Sequence, residues 1–231
     1  MPYNYTIAFE NSTKGTPLMK PLFFEEPTNE KLLNEKESYL WGNDFLIKPI
    51  TNSGVTSTEV YFPKSKNWFD FYSNKKYAAG STQTVDVAEG NIPVFVRGGS
   101  FIPMIKTIQN TNTYSLDNFD VHYYFDDSIS NSKGQLYNDN GNTPDAYKKG
   151  EYELLQFNSA ISNKILTIKL DTEIGKNYSS TSKNVSLIVH NLQPKRIFIN
   201  GSEVVYKNFG NPLNINITWE KGTSQELKIE Y

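Results

Sequence analysis

A mainly β chain is predicted: two consecutive antiparallel β-sandwiches preceded by a short helix–strand–helix segment. Three observations carry this prediction. From residue 41 onward, short apolar runs recur at regular intervals between turn residues; several of the later runs alternate strictly apolar and polar; and the first forty residues follow a different rhythm. With 231 residues, 37% hydrophobic and 21% charged, there is chain enough for one large core or two modest ones.

In the opening segment, residues 3–11 read as the end of a helix. Tyr3, Ile7 and Phe9 fall near helical spacing, and Gly15 follows as a stop signal. Residues 17–24 then form an apolar run containing Pro17 and Pro21. Proline usually confines a strand to a sheet edge, but apolar residues on both faces predict a strand buried on two sides, as in a parallel sheet. Pro27-Thr28-Asn29-Glu30 opens a helix through Leu40. One helix–strand–helix repeat cannot cover its own apolar faces, so the segment is expected to belong to a larger body.

The next strands are predicted at 45–50, 59–62, 84–87, 92–97 and 100–105, with Asn52-Ser53-Gly54 and Gly98-Gly99 as turns. The polar stretch 107–118 reads as a linker. Beyond it, strands are expected at 119–125, 153–162, 164–171, 185–190, 196–200, 213–219 and 226–231. The sets Leu166/Ile168/Leu170, Val185/Leu187/Val189 and Leu213/Ile215/Ile217/Trp219 each place one face on a core and one in water. No helix is expected after residue 40.

Composition narrows the chemistry. Net charge is −2, which predicts neither a nucleic-acid nor an anionic-membrane partner. No apolar run reaches the roughly 18 residues of a membrane-spanning helix, and the first residues lack the basic and apolar regions of a signal peptide. Arginine occurs only at Arg97 and Arg196, so bidentate capture of phosphate is scarcely available. The chain has no cysteine, which removes disulfides, thiol nucleophiles and thiolate metal sites together. Sequons at Asn4, Asn11, Asn177, Asn184, Asn200 and Asn216 are expected by chance in a chain this rich in Asn, Ser and Thr.

The candidate site residues each have a plain structural reading beside the chemical one. His122 and His190 are the residues a zinc site or a Ser-His-Asp triad would need, and a satisfied histidine on a sheet surface is the expected alternative. Asp126-Asp127 ends a strand, where neighbours point to opposite faces and cannot flank one bond. Glu25-Glu26 follows the early strand, a place where barrels keep catalysis; a solvated pair at a strand exit is expected. Residues 136–142 superficially resemble a calcium loop, but the spacing is wrong for an EF-hand and a turn is expected. Trp41 is assigned to a core, whereas Trp68 is read as the more open of the two.

The ordered motifs resemble those of glycoside hydrolase family 31, the α-glucosidase and α-xylosidase family. Leu40-Trp41-Gly42-Asn43-Asp44-Phe45-Leu46-Ile47-Lys48-Pro49-Ile50 is similar to its FLWG-x-x-LL-x-x-PV segment. Val60-Tyr61-Phe62-Pro63 with Asn67-Trp68-Phe69-Asp70-Phe71, and Ile92-Pro93-Val94-Phe95-Val96-Arg97-Gly98-Gly99 through Pro103, follow in the family's order. Residues 2–24 resemble its PYLYTLAYE…RPLFFE stretch, with Lys20 where arginine is usual, and 134–152 resemble its LYEDDG turn, with Asn138 and Asn140 in place of acids.

The resemblance implies that residues 1–39 are the terminal piece of a catalytic (β/α)8 barrel, 40–113 the proximal C-terminal sandwich and 114–231 the distal one. A whole barrel takes roughly 250 residues, and the motifs holding the family's two catalytic aspartates do not occur here. No catalytic, substrate-binding or metal-ligating residue is therefore assigned, and no cofactor is expected. The implied partners are the parent's barrel in cis and, through the parent, an oligo- or polysaccharide. Alternatively, the distal sandwich is a carbohydrate-binding module. The early apolar strand predicts self-association of the chain alone. Absence of cysteine fits a bacterial enzyme of the cytoplasm or periplasm.

Overall fold

The computed structural model describes residues 1–205 and 210–231. Helix α1 (Pro2–Lys14) opens the chain. The strands that follow are β1 (Met19–Pro21), β2 (Tyr39–Trp41), β3 (Phe45–Ile47), β4 (Ser57–Phe62), β5 (Trp68–Asp70), β6 (Lys76–Tyr77), β7 (Ser81–Asp86) and β8 (Val94–Arg97), with the one-turn helix α2 (Glu30–Leu33) after β1. Next come β9 (Phe101–Met104), β10 (Asn118–Tyr124), β11 (Asn131–Asp139), the one-turn helix α3 (Ala146–Lys149), β12 (Tyr152–Ser162) and β13 (Ile165–Ile174). The chain ends with β14 (Lys183–His190), β15 (Arg196–Ile199), β16 (Ser202–Val204), β17 (Leu213–Trp219) and β18 (Gln225–Glu230). Two compact units result: Lys14–Gly98, and a larger one made of Met1–Thr13 with Gly99–Tyr231.

The smaller unit is a six-stranded sheet, in the order β1-β2-β3-β8-β5-β6, and a two-stranded ribbon, β4-β7. Register lines up Leu40, Leu46 and Phe95 across β2, β3 and β8. These three join Val60 and Phe62 of β4, Val85 of β7, Trp68 and Tyr77 in one core. Phe62 stacks on Tyr77 at 4.5 Å and meets Phe95 edge-on at 4.9 Å, the offset and T-shaped geometries that aromatic quadrupoles favour.

The larger unit is a sandwich. One sheet runs β17-β14-β10-β9 and the other β11-β12-β13-β18-β15-β16. The strict alternation of the sequence sends Phe119/Val121/Tyr123, Val185/Leu187/Val189, Leu166/Ile168/Leu170 and Leu213/Ile215/Ile217/Trp219 into a common core. Among the described residues all ladders of this unit are antiparallel except one: β10 and β14 run parallel, Asn118↔Asn184 to Tyr124↔His190. Gly134 on β11 lets the two sheets approach, because a Cβ there would lie 2.7 Å from Phe101 Cβ.

Several expectations change. The early run does not form a strand buried in a parallel sheet: β1 is three residues long, pairs antiparallel with β2 at the sheet edge, and leaves Met19 exposed. The proline rule wins, since Pro21 has no N–H to give a second neighbour. The helix expected through Leu40 stops at Leu33, and residues 39–41 become strand. No strand is predicted between residues 125 and 153, a stretch rich in Asp, Ser, Asn and Gly, yet residues 131–139 form a nine-residue strand paired along its length with β12. One helical turn, α3, does follow residue 40; Gly150 closes it at φ 72°.

The segment 1–39 is also divided between the units. Residues 1–13 pack with β11, whose outer edge α1 covers. Tyr137 N–H donates to Thr6 Oγ1 at 3.1 Å, Gln135 Nε2 donates to Glu10 Oε1 at 2.7 Å, and Phe9 stacks on Tyr137 at 4.0 Å. An unpaired strand edge is thereby blunted by a helix. The linker expected at 107–118 lies inside the larger unit, between β9 and β10, which pair with each other from Tyr123↔Phe101 to Asp120↔Met104.

Candidate functional site

In the smaller unit the charges converge on Arg97, at the end of β8. Its guanidinium lies 4.4 Å from the Trp68 ring centre. Nη1 pairs with Glu25 at 3.0 Å and Nε donates to the Asn43 carbonyl at 2.8 Å. Trp68 is wholly buried, with Nε1–H donating to Pro63 O at 3.1 Å, whereas Trp41 is half-buried. Trp68, whose reading the alternating neighbours leave open, is core, and Trp41, expected in a core, is buried only in part. Trp68 sits opposite Arg97 in the β5/β8 ladder, and the alternation of its neighbours points it inward. Burial, and then the Arg97 charge, pushes the Lys66 ammonium down from its usual range.

The Glu25-Glu26 pair does not act together. Glu25 serves Arg97, while Glu26 accepts from Tyr61 Oη at 2.8 Å, from the Lys64 N–H at 2.8 Å and from Asn29 Nδ2 at 2.9 Å. Burial raises the Glu26 carboxyl, but the Lys64, Asn29 and Tyr61 hydrogen bonds outweigh it and hold it below the ordinary carboxylate range. Asp126 is buried and takes Ser128 N–H and Oγ–H, at 3.1 and 2.8 Å, in a turn after β10; Asp127 is exposed. Neither acidic pair flanks a common space.

The histidines, 68 residues apart, meet. His122 Nδ1 lies 2.9 Å from His190 Nε2, because the parallel β10/β14 register sets them diagonally on one face. Tyr124 stacks on His190 at 4.3 Å. Burial drives His190 down to about 4, with His122 adding to the shift, and lowers His122 as well. No sequence signal announces this pair; it needs the parallel pairing.

Residues 136–142 behave as a turn. Asn140 Oδ1 accepts from the N–H groups of Asn142 and Thr143, at 3.0 and 2.9 Å. Asp139 accepts from Tyr5 Oη, Tyr137 Oη and Gly141 N–H at 2.6, 2.7 and 2.7 Å. This turn forms one wall of a cavity of about 620 Å3 in the larger unit, with Tyr5, Tyr114, Asn138, Tyr178 and a Glu153–Lys183 pair on the others. Glu153 and Lys183 are 2.8 Å apart with side chains 0% and 5% exposed. Glu153 also takes Asn138 Nδ2 and Ser180 Oγ, at 2.9 and 2.6 Å. No window of sequence contains this cavity, because its residues come from five separate segments.

Solved structures share this fold. A family 31 dextranase structure from Flavobacterium johnsoniae superposes over 100% of this chain and 31% of its own, with a TM-score of 0.87 at 24% identity. An α-xylosidase structure from Xanthomonas citri superposes over 97% of this chain and 23% of its own, with a TM-score of 0.75 at 20% identity. The sequence then supplies the family: residues 15–102 match the glycosyl hydrolase family 31 C-terminal domain. An α-xylosidase of Saccharolobus solfataricus is 31% identical over 67% of this chain and 21% of its own length. An α-glucosidase of Bacillus thermoamyloliquefaciens is 28% identical over 88% and 25%. The chain belongs to glycosyl hydrolase family 31, in its C-terminal region. It spans about a fifth to a quarter of these curated relatives.

Proposed function

We propose that this chain is the supporting C-terminal region of a retaining α-glycosidase that hydrolyses α-glucosides or α-xylosides, with the catalytic barrel in cis. The observation that carries the reading is the family match over residues 15–102 in a chain that spans only 21% of the α-xylosidase relative. The scaffold role follows from what the charges do. Glu25, Glu26 and Asp126 are each engaged in holding their own fold, which leaves them poor candidates for flanking a glycosidic bond. Rigid support matters in such an enzyme, since a small displacement of catalytic groups costs large factors in rate. The isolated chain is inactive in this reading. Assaying it on p-nitrophenyl α-glucoside and α-xyloside tests this, with turnover above a protein blank overturning it.

A further inference from the structure

We propose that Asn140 is a self-modifying residue: its own turn drives the Asn140-Gly141 step to a succinimide and then to an acid. The chain contains two Asn-Gly steps, Asn140-Gly141 and Asn200-Gly201. With no Cβ, a glycine lets its amide nitrogen approach the preceding side chain, so both steps are open to the same reaction in an unfolded chain. Their surroundings in the fold differ. The Asn200 side chain is tied to β18, Oδ1 taking the Glu226 N–H at 2.9 Å and Nδ2 donating to Gln225 Oε1 at 2.7 Å.

At Asn140 the contacts turn instead onto the reacting atoms. Asp139 Oδ1 accepts from Gly141 N–H at 2.7 Å, which sets a base on the proton of the attacking nitrogen. The Tyr5 and Tyr137 hydroxyls, at 2.6 and 2.7 Å, hold that carboxylate in place. Asn140 Oδ1 accepts from the N–H groups of Asn142 and Thr143 at 3.0 and 2.9 Å, two donors on the oxygen that becomes an oxyanion. Asn140 Nδ2, the leaving nitrogen, lies 2.7 Å from Thr143 Oγ1. Base, oxyanion donors and leaving-group contact all fall within residues 139–143, so no distant segment is needed to bring them together. In the reaction Gly141 N attacks Asn140 Cγ and its proton passes to Asp139. The tetrahedral carbon then expels Nδ2, which takes up a proton and departs as ammonia. Water opens the ring at either carbonyl, leaving aspartate or isoaspartate at position 140. An acid then stands where the LYEDDG motif has one. The chemistry is independent of the supporting role proposed above.

Timed incubation of the freshly purified 231-residue chain, followed by peptide mapping with mass spectrometry, tests this, with residue 200 as the internal reference. In the folded chain residue 140 should convert faster than residue 200. It should also convert about 100-fold faster than in urea, the lower end of what a positioned base contributes. Between pH 6 and 8 its rate should rise less steeply than that of residue 200, where hydroxide must take the proton. Asp139→Asn should slow residue 140 by about 100-fold and Thr143→Val by about fivefold, the size of one hydrogen bond, with residue 200 unchanged in both. If Asp139→Asn loosens the fold, residue 200 accelerates with it and Thr143→Val decides. Conversion at residue 140 no faster than at residue 200, or equally fast in folded and urea-unfolded chain, overturns the proposal, as does an unchanged rate in both variants.

Discussion

His122 Nδ1 and His190 Nε2 stand 2.9 Å apart on neighbouring parallel strands, so one proton serves the contact and a second imidazolium would face it directly. His190 is 6% exposed, and its pKa falls from the ordinary 6.5 to about 4. Asp120, two residues before His122 on the same strand, is the carboxylate that opposes the shift at His122. The unfolded chain binds the proton more readily than the folded one. Stability is therefore full above pH 6.5 and lost as pH falls toward 4, by on the order of 3 kcal/mol. Urea unfolding at pH 7.5 and 4.5 measures it. His190→Gln should shrink the difference between the two midpoints by about half or more; an unchanged difference refutes the assignment.

Arg97 predicts the response of the smaller unit. Lysine keeps the charge but loses the planar stack on Trp68 and the fork that reaches Glu25 and Asn43 together. Arg97→Lys should cost about 2 kcal/mol, because Arg and Lys are not interchangeable at stacked sites. Near-ultraviolet circular dichroism should also lose the Trp68 signal at neutral pH. A cost below about 0.5 kcal/mol, typical of surface changes, contradicts the packing described.

The buried Glu153–Lys183 pair predicts a non-additive cycle. Lys183→Met leaves a carboxylate that is 0% exposed without its counter-charge, at a cost of about 3–5 kcal/mol. The double variant Glu153→Gln/Lys183→Met keeps an amide beside Asn138 and Ser180, where the carboxylate accepts in the parent chain, and should recover most of that loss. Chemical denaturation of the two variants beside the parent chain decides it. Equal losses in the single and double variants show that packing, not the lone charge, dominates.

How much of this was legible depended on range. The alternating sets of β13, β14 and β17 declare both strand and core face, because period two is local information. The motif at 92–103 placed β8 and β9 around a turn for the same reason. β11 escapes sequence reading because Asn131, Ser132, Lys133 and Gly134 have weak strand propensity; pairing with the next strand, β12, and cover from the sequence-distant α1 make it a strand. The histidine pair and the tyrosine-lined cavity were hidden for a similar reason. Parallel neighbours and five-segment walls are long-range facts that no window of sequence contains.

The edge strand β1 gives the last prediction. It is short and contains a proline, both of which discourage pairing with another chain. Yet the smaller unit exposes Met19 on that strand, with Phe24 and Leu33 following it, at 58%, 49% and 57%. Apolar side chains so exposed favour association when they form one patch. We expect the chain alone to self-associate through them, with a sedimentation coefficient that rises with concentration. Met19→Lys should suppress the rise, since a charged side chain on an edge strand opposes pairing, and Lys14→Glu should not. Concentration-independent sedimentation of the unsubstituted chain as a monomer refutes this. An undiminished rise in Met19→Lys shifts the contact to another surface and refutes the role of β1.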